Sequence, residues 1–259
     1  MKKLYILSSG AGGIEFITQE AIKALKDSEV IVSYTKYAKE LKELIQDKEL
    51  YTSGMTHEID RANRAIEFAK SGKTTSIISN GDVNVFGMAT LVIELIDKQN
   101  LWDAIEVISL PGVTSFLAIA SRIGAPISQD FAIISLSDRL TDIDLIDKRV
   151  KNSLEADFII GIYNPKSKTR TKPYLNFIEA LKHINEKIAI IGSNIGREKE
   201  YINITTTTDL INQSVDHKDI SMSTLIIICN STSKLTKNGL VLTPRGYLNK
   251  YTKDGLLKN

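Results

Sequence analysis

The chain of 259 residues is long enough for one large domain or two modest ones, and its contents of 42% hydrophobic and 25% charged residues are ordinary for a folded protein. A formal net charge of +2 gives no whole-chain argument for binding nucleic acid or a membrane surface, and no apolar run is long enough to span a membrane. One cysteine and three scattered histidines exclude an internal disulfide and a metal site of nitrogen and sulfur ligands, which indicates a reducing cytoplasm.

The first half of the chain alternates short apolar runs with amphipathic segments. We predict strands over residues 4–7, 30–33, 75–79 and 105–110, and helices over residues 18–26, 36–45, 56–70 and 85–99. Thr18 and Thr56 are expected to cap the helices that follow them. Alternation of strands and helices predicts a largely parallel sheet covered by helices.

A second series of elements begins near Gly124-Ala125-Pro126 and is richer in strands. We predict strands over residues 132–136, 158–163, 188–191, 201–205 and 224–229, and helices over residues 143–154, 174–184 and 208–213. The higher density of strands favours a mixed sheet. The fold class is therefore α/β, with one α/β domain over residues 1–124 and a second over 125–247. A polar tail over 248–259 is expected to be frayed.

Three loops of the first half follow predicted strands. The first loop (residues 8–13) has three glycines but matches neither a dinucleotide fingerprint nor a phosphate loop. The second loop (residues 79–88) carries Gly81-Asp82, and the third loop (residues 110–115) carries Thr114 and Ser115. Because open α/β sheets bind ligands at the carboxyl ends of their strands, we predict one pocket for a ligand without phosphates. Plain tight turns, and an Asp82 that caps a helix, remain the alternatives.

Cations concentrate in the second half, in loops beyond predicted strands. They are Arg139, Lys148, Arg149, Lys166, Lys168, Arg170, Lys172 and Arg245. This placement predicts recognition of a small polyanion, whereas a solvated surface is the default explanation of such charges. RNA is the competing anion, but aromatic residues are not interleaved with this basic stretch beyond Tyr163 and Tyr174.

Few residues suit general acid–base catalysis. No Ser-His-Asp or Cys-His arrangement is recognisable, and His57 is expected at the surface. Asp138 follows a predicted strand and is a candidate acid, base or hydrogen-bond anchor. Capping of the segment after Asp138 is the alternative.

Short motifs from residue 4 to residue 247 together resemble one protein family. They are Gly54-Met55, Ser79-x-Gly81-Asp82, Phe86-Gly87-Met88, Pro111-Gly112-Val113-Thr114, Gly124-Ala125-Pro126, Asp130-Phe131, Ile134-x-x-x-Asp138, Ala156-x-Phe158, Tyr163-x-Pro165, Gly196-Arg197 and Thr243-Pro244-Arg245-Gly246-Tyr247. These motifs are similar to those of the tetrapyrrole methyltransferases, the class III S-adenosylmethionine enzymes of cobalamin and sirohaem synthesis. The Ser-Leu-Ser-Asp, Tyr-Asn-Pro and Thr-Pro-Arg-Gly-Tyr segments resemble the branch that methylates C17 of precorrin-3B or cobalt-precorrin-3.

This resemblance implies two α/β domains, a cytoplasmic homodimer, and S-adenosylmethionine in a cleft between the domains. The implied activity is C17-methylation of the tetrapyrrole with contraction of the macrocycle, and any cobalt belongs to the substrate. Implied cofactor-binding residues are Ala11, Gly81, Asp82, Val85, Thr114, Ser115, Tyr163 and Gly196. Cations expected to bind the substrate carboxylates are Lys166, Lys168, Arg170 and Arg245. No nucleic acid or membrane partner is implied.

The chain departs from the family pattern in the first loop and near its middle. Ala11 stands where the family has proline, and Gln129 stands where it has histidine. Gln129 forms hydrogen bonds but cannot exchange protons near neutral pH, so Gln129 and Asp138 are weak catalytic candidates. Three alternatives stay open: methylation at another position of a corrinoid or sirohaem precursor, ligand binding without turnover, and methylation of ribosomal RNA.

Overall fold

The computed structural model describes residues 2–212 and 220–258, which form two compact units. The first unit runs to Ala118 and also contains Ile195–Glu198. The second unit contains Ile119–Asn194 and the chain from Lys199 onward. Two predicted features, the end of a helix at Gln213 and the histidine His217, lie outside the described residues.

The first unit is built on a five-stranded sheet whose paired strands are all parallel. Its strands are β1 (Lys2–Ser8), β2 (Val30–Tyr34), β3 (Glu49–Ser53), β4 (Thr75–Ser79) and β5 (Ile105–Leu110), in the order β3-β2-β4-β1-β5. The parallel sheet is confirmed, and four of its strands match the apolar runs of the sequence. The edge strand β3 was not predicted because most of its residues are exposed and polar, which gives no buried apolar run.

Helices follow the strands of the first unit. They are α1 (Gln19–Asp27), α2 (Thr35–Glu40), α3 (Lys42–Ile45), α4 (Glu58–Lys70), α5 (Ala89–Lys98) and α6 (Ser115–Ile123). Thr18 caps α1 as predicted, because its hydroxyl accepts a hydrogen bond from the backbone N–H of Ala21 at 3.1 Å. The cap predicted at Thr56 is wrong, since its φ of 68° is left-handed and α4 begins at Glu58. The helix predicted over 36–45 is divided at Leu41, and α6 was not predicted.

The second unit contains a mixed five-stranded sheet, as predicted. Its strands are β7 (Phe131–Ser135), β8 (Ile159–Tyr163), β9 (Ile188–Ser193), β10 (Tyr201–Thr206) and β11 (Thr224–Ile228), in the order β10-β9-β11-β8-β7. Only the pairing of β7 with β8 is parallel among these described strands. The helices α7 (Ile143–Glu155), α8 (Lys172–Leu181) and α9 (Thr207–Ile211) belong to this unit. Its core packs isoleucines of the strands against Tyr174 and Phe177 of α8.

A small sheet joins two distant parts of the second unit. It consists of β6 (Gly124–Ala125), β13 (Val241–Leu242) and β12 (Lys234–Leu235). The chain then forms the short helix α10 (Tyr247–Lys250), and Tyr251 pairs with Leu257 in an antiparallel bridge. Backbone hydrogen bonds occur in this mostly exposed segment, for example from Tyr251 N–H to the carbonyl of Tyr247 at 2.8 Å, and its fraying stays a prediction.

Candidate functional site

The first and second loops of the first unit are joined by backbone hydrogen bonds. Gly10 N–H donates to the carbonyl of Gly81 at 3.1 Å, and Gly81 N–H donates to the carbonyl of Gly10 at 2.7 Å. Ser9 N–H also donates to the carbonyl of Ser79 at 2.8 Å. Gly10 and Gly81 have φ values of 75° and 70°, a region that glycine enters without steric cost. The two glycine loops thus form one paired structure beyond β1 and β4.

Ser8 connects the first loop to the other two. Its buried hydroxyl donates to the carbonyl of Leu110 at 2.6 Å and accepts from Val83 N–H at 2.9 Å. Gly112 of the third loop packs closely here, because a Cβ on it would lie 2.5 Å from both the carbonyl oxygen of Gly81 and Cβ of Ser8. The three loops therefore meet at one edge of the sheet, which confirms the placement predicted from the sequence.

Asp82 connects the second loop to the third. Its Oδ2 accepts a hydrogen bond from Gly112 N–H at 3.0 Å, and its Oδ1 accepts one from Asn84 N–H at 2.8 Å. The helix α5 begins only at Ala89 and has Met88 at its N-cap. The alternative of a helix cap at Asp82 is therefore wrong, and the carboxylate instead orders two loops.

A residue without a role in the sequence prediction, Arg197, lies at the same loops. Its Nε and Nη2 donate to the two carboxylate oxygens of Glu40 at 2.8 and 2.9 Å. Nη1 donates to the carbonyl of Ala11 at 2.6 Å, and Nη2 also donates to Oδ1 of Asn80 at 2.8 Å. The Gly196-Arg197 motif was a signal, but only Gly196 was assigned a function from it.

The predicted cofactor residues differ in their exposure. Ala11 has no exposed surface, and its carbonyl is occupied by Arg197. The cofactor contact at Ala11 stays a prediction, for a residue whose own surface is fully covered in the structure. Gly81 and Thr114 are also buried, whereas five others are partly exposed. Those five are Asp82, Val85, Ser115, Tyr163 and Gly196.

Gly196 has a structural reason to be glycine. Its φ is 72°, and a Cβ on it would collide with the backbone of Gly12 in the first loop. A Cβ on Gly12 would in turn lie 2.6 Å from the carbonyl oxygen of Ile195. The close approach of these two backbones accounts for both glycines, and the cofactor contact at Gly196 stays a prediction.

In the second unit, the loops after the parallel strands β7 and β8 are tied together. Leu136 N–H donates to the carbonyl of Tyr163 at 2.9 Å, and the amide of Asn164 donates to Oγ of Ser135 at 3.0 Å. The motif segments Ser-Leu-Ser-Asp and Tyr-Asn-Pro therefore meet at one edge of this sheet. Parallel strands place their carboxyl ends together, which explains why motifs far apart in the chain are adjacent here.

Arg170 is engaged inside the second unit. Its guanidinium donates to the carbonyls of Leu136 and Asn164 at 2.5 and 2.9 Å, and its Nε lies 3.8 Å from Oδ1 of Asp138. Its side chain is only 11% exposed, and burial lowers the pKa of Arg170, although a guanidinium stays protonated in proteins. Arg170 therefore ties these loops together, with Asp138 as its ionic partner, and the substrate contact at Arg170 stays a prediction.

The remaining predicted substrate cations are more accessible. Lys168 and Arg245 are exposed. Lys166 is partly buried and lies over the ring of Tyr174, with its Nζ 5.5 Å from the ring centroid. Lys168 and Arg245 are thus the predicted cations whose charge faces solvent in the described residues.

Gln129 has a structural role at the junction with the small sheet. Its Nε2 donates to the carbonyl of Pro244 at 2.5 Å, and its Oε1 accepts from the amide of Asn230 at 2.8 Å. Beside it, the hydroxyl of Thr243 donates to the carbonyl of Pro126 at 2.6 Å. Both ends of the Gln129 amide are therefore occupied by protein groups. This geometry explains Gln129 as a structural residue and gives no support to a catalytic one.

No metal centre or membrane helix is found in the described part of the chain. Within it, no group of three or more His, Cys, Asp or Glu side chains could hold a metal ion, and no helix is long and apolar enough to cross a membrane. A cavity of about 260 Å³ lies against α7 and α8, lined among others by Asp147, Asn176 and His183. None of the predicted site residues lines this cavity.

Comparison with known proteins gives matches over nearly the whole chain. The family model described as tetrapyrrole (corrin/porphyrin) methylases matches residues 3–211. A probable cobalt-factor III C(17)-methyltransferase of Methanocaldococcus jannaschii is 40% identical over 252 residues, covering 96% of this chain and 99% of that protein. Its counterpart in Salmonella typhimurium is 39% identical over 247 residues, covering 94% and 99%. A precorrin-3B C(17)-methyltransferase of Sinorhizobium sp is 34% identical, covering 94% and 96%.

Solved structures with the same fold are also found. The crystal structure of the methyltransferase CobJ matches with a TM-score of 0.86 and 26% identity, covering 94% of this chain and 100% of that chain. The cobalt precorrin-4 methyltransferase CbiF matches with a TM-score of 0.66 and 20% identity, covering 88% and 94%. Because its sequence identity is only 20%, the match to CbiF shows a shared fold and nothing more.

Proposed function

Because this chain belongs to the tetrapyrrole (corrin/porphyrin) methylases, we propose that it methylates C17 of a cobalt-factor III or precorrin-3B type of substrate in cobalamin synthesis. The observation that carries the proposal is the similarity of 39–40% to two C(17)-methyltransferases, each matched over 99% of its length. The matches cover 94% and 96% of this chain. Contraction of the macrocycle accompanies the methylation in this proposal.

S-adenosylmethionine is the proposed methyl donor, and the chemistry of the loops in the first unit suits it. The second loop presents a partly exposed carboxylate, Asp82, and the cation at these loops, Arg197, is paired with Glu40. Such a surface favours a sulfonium cation over a phosphate-bearing nucleotide, because a polyanion would meet the carboxylate of Asp82 and an arginine that is already paired with Glu40. Residues proposed to contact the cofactor are Asp82, Val85, Ser115, Tyr163 and Gly196.

The tetrapyrrole carries several carboxylates, and the exposed cations of the second unit suit them. Lys168 follows β8 in a loop ordered by Arg170. Arg245 follows Pro244, whose carbonyl is held by Gln129. Ordered loops lose less conformational freedom when a charged ligand binds, which favours these two positions as substrate contacts.

When bound at these loops, S-adenosylmethionine would supply an electrophilic methyl group for C17, with the thioether S-adenosylhomocysteine as the leaving group. What the protein contributes is alignment and exclusion of water, since no metal or nucleophile of the protein is required. The paired glycine loops and the Ser8 and Asp82 hydrogen bonds provide a rigid edge for such alignment. Lys168 and Arg245 orient the substrate through its side-chain carboxylates.

The direct test is incubation of the purified protein with methyl-labelled S-adenosylmethionine and three substrates in separate reactions: cobalt-factor III, cobalt-precorrin-3 and precorrin-3B. Mass spectrometry measures the gain of one methyl group, and NMR locates it. Label at C17 with a contracted ring supports the proposal. Label at another carbon identifies a methylase of a different position, and binding of both ligands without transfer identifies a protein that binds without turnover.

We also propose a homodimer that acts in the cytoplasm. The single cysteine of the chain, Cys229, is buried and has no cysteine partner in the same chain, which suits a reducing compartment. Sedimentation velocity of the purified protein measures the oligomeric state, and a monomer at micromolar concentration contradicts the dimer.

A further inference from the structure

Arg197 is a largely buried arginine that forms several hydrogen bonds within the protein. The segment Ile195–Glu198 follows β9 in the chain but belongs to the first unit. The Arg197 and Glu40 side chains are 19% and 23% exposed, and they form a bidentate pair at 2.8 and 2.9 Å. A bidentate pair of this kind restricts both distance and orientation, unlike a contact between two point charges.

All five N–H groups of this guanidinium have acceptors. Two donate to Glu40, one to Oδ1 of Asn80 and one to the carbonyl of Ala11. The fifth donates to the carbonyl of Ile195 at 3.5 Å. Arginine has five donors and no more. Arg197 therefore has no donor left for a carboxylate of a ligand, and its influence on a ligand must pass through the groups that it holds.

The groups held by Arg197 belong to two different loops. Ala11 lies in the first loop and Asn80 in the second, next to the paired Gly10 and Gly81. Glycine-rich backbone is conformationally free, so its order must come from outside contacts. One guanidinium bonded to both loops supplies such contacts and keeps the loops in the arrangement in which they are paired.

We propose that Arg197, held by Glu40, is a positioning residue that orders the first and second loops for cofactor binding. The proposal rests on the proposed function for the identity of the cofactor, S-adenosylmethionine. A ligand that binds already ordered loops loses less entropy, so Arg197 raises cofactor affinity without touching the cofactor. The tetrapyrrole contacts proposed at Lys168 and Arg245 belong to the second unit, whereas the two loops belong to the first unit.

The first test compares Arg197→Lys with the wild type. Lysine keeps the charge but loses the planar fork. We expect the KM and the calorimetric Kd for S-adenosylmethionine to rise at least about tenfold, while the KM for the tetrapyrrole changes less than about twofold. The control is Arg64→Lys, in an exposed pair with Glu67 at 2.9 Å in the same unit, which should leave both constants unchanged. Equal changes in both KM values would indicate a general structural role and would overturn the proposal.

The second test measures hydrogen exchange and needs no ligand. The amides of Gly10 and Gly81 pair the two loops. In Arg197→Lys we expect their hydrogen-exchange rates to rise at least about tenfold, while the rates of amides in β8 stay unchanged. If Arg197→Lys does not fold, Glu40→Gln replaces it, because glutamine keeps the shape and removes one acceptor. Exchange at the wild-type rate contradicts the proposal. Wild-type protein that binds no S-adenosylmethionine refutes the proposed function, and the exchange experiment still decides the role of Arg197.

Discussion

Replacement of Asp82 by alanine tests the idea that this carboxylate orders the loops at the edge of the first sheet. The change removes two hydrogen bonds, from Gly112 N–H at 3.0 Å and from Asn84 N–H at 2.8 Å. A hydrogen bond to a charged group contributes about 1.5–3 kcal/mol, and the partial exposure of Asp82 favours the lower end of that range. We therefore expect the free energy of unfolding of the first unit to fall by about 3–4 kcal/mol.

The assay uses the only tryptophan of the chain, Trp102, which lies in the first unit. Its fluorescence during urea unfolding reports the stability of this unit, and calorimetry of the same variant reports the affinity for S-adenosylmethionine. Asp82→Ala should also weaken cofactor binding at least about tenfold, and more than tetrapyrrole binding, because the third loop loses its tie to the second.

The matched control is Asp142→Ala in the second unit. Asp142 is a true helix cap, whose Oδ1 accepts from Asp144 N–H at 2.8 Å. Its loss should lower the free energy of unfolding by about 1 kcal/mol, measured by circular dichroism, and leave cofactor affinity unchanged. If Asp82→Ala lowers stability no more than Asp142→Ala and binds the cofactor as the wild type does, the reasoning about Asp82 is refuted.

Three further predictions concern packing, reactivity and pH. Gly112→Ala places Cβ 2.5 Å from a carbonyl oxygen of the second loop, so the urea stability reported by tryptophan fluorescence should fall by about 1–3 kcal/mol. Burial raises the pKa of the Cys229 thiol to about 12, so alkylation at about pH 8 should be at least about a hundredfold slower in native than in unfolded protein. Burial opposes ionisation of Asp157, but hydrogen bonds from Lys187 and Ser231 outweigh it and lower the Asp157 pKa below 3.8. The stability of the wild type relative to Asp157→Asn should then be largest above that pH and disappear as pH falls through the folded-state pKa, measured by urea unfolding.

Each of these has a result that contradicts it. An unchanged unfolding midpoint for Gly112→Ala would mean that the loops move apart without cost. Native alkylation of Cys229 at the unfolded rate would show that the thiol is accessible. A stability difference for Asp157→Asn that does not shrink at all as the pH falls below 3.8 would mean that the ionised carboxylate is not its source.

The positions of the main strands could be predicted from the sequence because burial on both faces of a parallel sheet produces continuous apolar runs. The run at 75–79 matches β4, and that at 105–110 matches β5. The strand β3 was missed because it is a polar edge strand without an apolar run. The helix α6 was missed because its first residue, Ser115, was interpreted as part of the third loop. Helix starts were less predictable. The helix predicted from residue 85 begins only at Ala89, because the chain after Asp82 first forms a turn.

The chemical class of the protein could likewise be predicted from the sequence, because its short motifs consist of neighbouring residues and are recognisable without the tertiary structure. The collision that a Cβ on Gly112 or Gly196 would cause shows why such positions hold glycine. These motifs identified the family but not the role of each residue. Gln129 and Arg170 were expected to face the reaction or the substrate, and their polar groups are instead bonded within the protein.

Local order along the chain was thus encoded by periodicity and turn residues, and these determined the two α/β halves and the edge where the three loops meet. Tertiary structure alone decided which side chains face one another: Arg197 meets Glu40 from 157 residues away, and Gln129 meets Pro244 from 115 residues away. Hydrogen bonds of this kind depend on atomic distances and directions that arise only when the sheets have packed, and no pattern of neighbouring residues records them.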